Sequence, residues 1–194
     1  MNFSKLIKFF FTLVLIFCYQ FSFSQYSKAH YIPPITSTGD GPANAEEQYL
    51  YISTPSENPI SVTIFPMGGD PVTNNNVSNS NPWEYFIGSG SNTNLIIRTT
   101  DNFGAPILDS TPFNDKGFII ESEGLTYVSV RLFSGGDYQA GSIVSKGVAA
   151  LGTEFRAGSF ENEGNLTGGT PSNYLNFVSV LATQDDTTVD FKEF

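Results

Sequence analysis

The stretch Tyr127-Val128-Ser129-Val130-Arg131-Leu132-Phe133 puts Val128, Val130 and Leu132 on one side of the chain and Ser129 and Arg131 on the other. A period of two is the signature of extended backbone, because successive side chains of a strand point to opposite faces. The same signal recurs to either side. Tyr49 to Ser53 alternates Tyr with Leu and Ile, and Ile60, Val62 and Ile64 alternate with Ser61, Thr63 and Phe65. Trp83 to Ile87 is aromatic, and Leu95 to Ile97 and Phe118 to Ile120 are short apolar runs. Tyr174 to Thr183 is the longest such segment and is apolar on both faces, which predicts a central strand covered on both sides. Thr187 to Phe191 follows it after Gln184-Asp185-Asp186 and completes an expected hairpin, with Val189 and Phe191 packed beside the long strand.

The breaks carry turn chemistry: Thr54-Pro55, Met67-Gly68-Gly69-Asp70-Pro71 and Ser134-Gly135-Gly136-Asp137. Thr73 to Asn81, with Asn74, Asn75 and Asn76 in a row, reads as a long solvated loop, and Glu161 to Asn173 as another. Ser145 to Leu151 is the best helix candidate, weakened by Gly147 and Gly152. The expected fold is all-β, an antiparallel sandwich-like domain with long polar loops.

The N-terminus reads differently. Lys5 and Lys8 precede an apolar run from Phe9 to Cys18, followed by Ser22-Phe23-Ser24. Charge, apolar core and a small-x-small site make a secretory signal peptide over residues 1–24, cut after Ser24. The run is about ten residues, against the ~20 that a membrane-spanning helix needs. Residues 25–194 then form the surface module, with no transmembrane segment, and the end at Phe194 just after a strand reads as truncation of a longer protein with further domains. The expected location is secreted or on the cell surface. Cys18 is the only cysteine and falls within the signal, so the mature chain has neither disulfides nor thiolate metal sites.

Chemistry is sparse. The net charge of −10 and scattered basic residues exclude a phosphate-backbone footprint, so no nucleic-acid partner is expected. His30 is the single histidine; it cannot build a multi-histidine zinc site, and no Gly-x-Ser-x-Gly elbow accompanies it to make a triad. Glu121 and Glu123 share a strand face, but no sugar cleft is indicated, and a solvated strand end is the plainer reading. Asp185-Asp186 lacks the further acidic ligands of a calcium loop. No catalytic residue, metal ligand or cofactor is therefore assigned. Trp83, Tyr85 and Phe86 are the candidate binding residues, since aromatic faces on a β-scaffold stack on sugars or anchor protein partners, although core packing uses the same residues.

Ordered segments carry a resemblance. They are Ser27-Lys28-Ala29-His30-Tyr31-Ile32-Pro33-Pro34, Gln48 to Pro55, Lys116 to Glu121, Tyr127 to Arg131, Gln139-Ala140-Gly141, Val144 to Gly147, Leu151 to Gly158, Asn176 to Thr183 and Asp186 to Val189. Together they resemble the IgGFc-binding-protein N-terminal domain family, as found at the start of large exported, gliding-associated proteins of Bacteroidetes-type bacteria that use type IX secretion. The resemblance implies a non-catalytic N-terminal binding or adhesion module with an extracellular protein or glycan partner. The alternative is a carbohydrate-binding accessory module of a secreted polysaccharide-degrading enzyme.

Overall fold

The computed structural model describes residues 25–37, 45–98, 112–134, 139–156 and 178–192. Among these residues nine strands and one 3-10 turn follow in chain order: β1 (Ser27–Ile32), β2 (Ile35–Ser37), β3 (Ala45–Ser53), β4 (Ile60–Pro66), β5 (Val72–Val77), β6 (Trp83–Ser89), β7 (Ile96–Arg98), β8 (Phe118–Ser134), β9 (Gln139–Val144) and the turn Gly147–Ala150. The architecture is all-β. Seven strands form one antiparallel sheet, and β2 and β7 add a short parallel pair.

β8 organises the sheet. The two apolar runs Phe118–Ile120 and Tyr127–Phe133 belong to one strand of 17 residues. Its first part lies between β1 and β4, with Ile120 opposite His30 on one side and Ile64 on the other. Its second part lies between β3 and β9, with Val130 opposite Leu50 and Ile143. Between them the chain bends at Ser122-Glu123-Gly124-Leu125, where β1 steps from Thr126 to Glu121 within two of its own residues. The bend does not disturb the alternation: Phe118, Ile120, Thr126, Val128 and Val130 all face inward and are buried. The sheet thus curls into two layers that share β8, ordered β5-β4-β8-β1 and β6-β3-β8-β9.

One core fills the curl. Ile32, Val62, Ile64, Val77, Phe118 and Ile120 come from the first layer, Leu50, Ile52, Val128 and Val130 from the second, and Leu95 and Ile96 from the β2–β7 end. Burying each such side chain contributes about 1.5–3 kcal/mol, so the alternating residues of β3, β4 and β8 supply most of the driving force. Several of the buried polar groups among the described residues are paired side chain to backbone or to each other. Gln48 donates through Nε2 to Gly90 O (2.7 Å) and accepts from Thr93 Oγ1. Thr126 Oγ1 donates to Ser27 O (3.0 Å), and Thr54 Oγ1 to Leu125 O (2.7 Å).

Four expectations need correction. The polar stretch after Pro71 is largely strand: β5 takes in Asn74 to Asn76 as an edge, held by Ser61 Oγ donating to Asn75 Oδ1 (2.7 Å) and by paired Thr63 and Thr73 hydroxyls. The helix candidate shrinks to the 3-10 turn Gly147–Ala150. The central strand is β8, not Tyr174–Thr183. Residues 174–177 lie outside the described residues, and 178–183 are not strand, with Val178 58% exposed. The expected partner segment is equally open: Val189 is exposed and Phe191 is 78% exposed. Only the turn is as read, with Thr187 Oγ1 donating to Gln184 O (2.7 Å) and Asp186 at φ 58°. Apolar alternation reports a capacity for pairing, and here the positions beside β8 are taken by β1, β4, β3 and β9. The expected signal segment, 1–24, lies outside the described residues. Among the described residues no helix is long and apolar enough to cross a membrane.

Candidate functional site

The aromatic residues of β6 part company according to strand phase. Trp83 pairs with Ile52 and Tyr85 with Leu50, both inward-facing residues of β3, and the two rings meet edge-on at 5.7 Å. Both pack against the core from its β6 side. Phe86 is displaced from that phase. It pairs with Tyr49 on the outer surface and is 53% exposed. Of the three candidate binding residues, the structure therefore gives Trp83 and Tyr85 a packing position and leaves Phe86 facing solvent.

Phe86 belongs to a larger cluster that the sequence did not single out. Its ring centroid is 5.2 Å from that of Tyr49. Tyr49 in turn lies 6.0 Å from Tyr51 and 6.4 Å from Phe133, which is also exposed. The cluster spans β6, β3 and β8, with Tyr49 opposite Phe86 on one side and Arg131 on the other. Period two within Trp83-Glu84-Tyr85-Phe86-Ile87 puts Phe86 on the face opposite Trp83 and Tyr85, a signal the grouping of the three passed over. What placed Tyr49, Tyr51, Phe133 and Arg131 beside it was the cross-strand register, which no single strand encodes.

Charge is interleaved with the rings. Tyr49 Oη donates to Glu47 Oε2 (2.7 Å), and that bond, with the adjacent negative charge, pushes the phenol pKa up to about 12. The pKa of Tyr51 is also raised, first by partial desolvation and then by a hydrogen bond to Glu84. The Arg131 guanidinium stands over the Tyr51 ring, 5.3 Å from its centroid. That is a cation–π geometry, whose range extends to about 6 Å. The face can therefore offer ring surfaces and carboxylate acceptors side by side.

His30 is placed quite differently. It is fully buried, and its Nε2 lies 2.9 Å from Thr126 O and 3.2 Å from Ser27 O. Carbonyls only accept, so Nε2 carries the proton, and Nδ1 is left buried with no hydrogen-bond partner. Burial lowers the His30 pKa from 6.5. This imidazole points at main-chain carbonyls, not at a hydroxyl it could activate, and its role is to tie β1 to the bend of β8. Glu121 and Glu123 do share the outer side of β8, where Glu123 Oε2 accepts from Ser61 N (3.0 Å) and serves β4. Among the described residues no group of three or more His, Cys, Asp or Glu side chains is arranged to hold a metal ion.

No family model, no curated protein and no solved structure matches the chain.

Proposed function

We propose that this domain is a non-catalytic binding module of an exported, surface-located or secreted protein, and that it binds through the outer aromatic face of β6, β3 and β8. One observation carries the reading. Phe86 and Phe133 remain solvent-exposed while packed against Tyr49, so the chain keeps a preassembled aromatic patch out of its core. Aromatic side chains with polar rims are the usual anchors of recognition surfaces, because they bury much area at little entropic cost. Support for export comes from the sequence: Lys5, Lys8, the apolar run and the Ser22–Ser24 pair.

The segments resembling the IgGFc-binding-protein N-terminal domain family include β1 and the stretches of β3, β8 and β9 that build the curled sheet. They support an adhesin-like frame. Phe86 lies outside them, so the resemblance does not supply the ligand. The carbohydrate-accessory alternative would use the same face. The mutual inclination of its rings, from 40° to 86° around Tyr49, argues against a flat platform for an extended polysaccharide.

The test is binding of the full chain to immobilised panels of purified extracellular proteins and defined glycans, set against Phe86→Ser and Tyr49→Ser. A ligand retained by the parent and lost by both variants, at unchanged melting temperature, is the expected result. Equal retention by all three proteins overturns the reading.

A further inference from the structure

The outer face already carries one cation of its own over a ring. Arg131 reaches from β8 across the surface to the Tyr51 ring, and Tyr51 is hydrogen-bonded to Glu84. A guanidinium, a ring face and a carboxylate form one unit. The neighbouring unit has the same parts without the cation. Tyr49 and Phe86 present their rings, and Glu47 is fixed by the Tyr49 hydroxyl through one oxygen, leaving the carboxylate further acceptor positions.

Resting on the binding reading above, we infer that this second unit accepts an arginine or lysine side chain of a basic polypeptide partner. The ammonium or guanidinium lies over Phe86 and Tyr49 with its hydrogen bonds directed to Glu47, and Phe133 covers the aliphatic stem. Charge complementarity selects this occupant. A chain of net charge −10 attracts a cationic segment and repels a second copy of itself. A neutral glycan gains nothing from that field and meets inclined rings. Desolvating a cation between ring and carboxylate strengthens both contacts.

The experiment titrates the full chain with three probes: a glycine-spaced arginine peptide, the same peptide with citrulline for arginine, and a neutral oligosaccharide. The variants are Phe86→Ala, the double change Glu47→Gln with Glu84→Gln, and a charge-matched control remote from the face, Asp70→Asn with Glu121→Gln. The arginine peptide should bind and the citrulline peptide should not. Phe86→Ala and the Glu47/Glu84 double variant should each weaken binding roughly 5- to 10-fold, with the control less than about twofold. If the control weakens binding as much as the double variant, the attraction is diffuse and the inference is wrong. If the oligosaccharide binds in a Phe86-dependent way and the arginine peptide does not, the face is a binding surface and only the cationic assignment fails. If no probe depends on Phe86, both readings fall.

Discussion

Gly147 stands against Ser27 so closely that a Cβ on it would lie 2.2 Å from the serine Cβ and 2.7 Å from its Oγ. The contact seats the 3-10 turn on the first strand. Ser27 Oγ also lies 3.3 Å from Ala29 N and 3.4 Å from Val148 N, so the serine caps both segments. Gly147 sits at φ 57°, where a side chain is strained even in open space. Gly147→Ala should therefore destabilise the domain by about 2–4 kcal/mol, combining overpacking with backbone strain. Chemical denaturation of the two proteins measures it, and a loss below about 0.5 kcal/mol would mean that the turn is not seated on β1.

Acid should weaken the same corner. The folded-state pKa of His30 is depressed below 6.5, so the folded protein binds this proton less readily than the unfolded chain does. Its contribution is complete above pH 6.5 and declines as the pH falls from there toward the folded-state value. The slope from this one group cannot exceed roughly 1.4 kcal/mol per pH unit. Urea unfolding at a series of pH values between 7.5 and 5, chosen at about half-unit steps to stay above most carboxylate titration, should show the decline in the parent. His30→Gln should be less stable at neutral pH but flatter. Parallel pH profiles would remove His30 as the cause.

Trp83 and Phe86 should behave oppositely, though they are three positions apart on one strand. Trp83→Ala removes a ring packed on the core and should cost about 2–4 kcal/mol. Phe86→Ala removes an exposed ring and should cost less than about 1 kcal/mol. Thermal melts of the two variants decide it. Similar losses would place Phe86 in a packing role and weaken the case for the outer face.

The Tyr49–Glu47 hydrogen bond has its own spectroscopic reading. Tyr49 should ionise near pH 12, later than a free tyrosine, because Glu47 accepts a hydrogen bond from its hydroxyl and repels the phenolate. In Glu47→Gln the repulsive charge is gone, and the Tyr49 transition should move back toward 10. Site-resolved NMR titration of the tyrosine ring separates Tyr49 from Tyr51. A transition unmoved by the substitution would mean that the two side chains do not meet in solution.

Strand existence was legible in the sequence wherever alternation was strong, as in Tyr49–Ser53, Ile60–Phe65 and Tyr127–Phe133. Where the pattern misled, the causes are specific. Asn74 to Asn76 have poor strand propensity, yet Ser61 bonds across to Asn75 and Thr63 to the adjacent Thr73, which holds the run in β5. Val178, Val180, Val189 and Phe191 have the right periodicity but no neighbouring strand among the described residues. Phe118 and Phe133 looked like parts of two strands because Glu121-Ser122-Glu123-Gly124 breaks the apolar alternation between them. The break lies at the bend, where Ser122 and Thr126 bond to main-chain oxygens. Of the four rings of the candidate site, one was visible in the sequence. Phe86 was named, whereas Tyr49 and Phe133 became its neighbours only through register.

The sharing of β8 between both layers also sets the order in which the chain can become a protein. Ser27 and Thr126, which pair across β1 and β8, are 99 residues apart in the chain. Each layer lacks its central strand until Phe118 to Ser134 has been made. Contacts of such long range are costly to close and slow to form. A chain emerging N-terminus first thus carries β1 to β7 for much of its length without the strand that joins them. The pairs β3–β6 and β4–β5 can form before it, but the two layers are joined only when that late segment arrives.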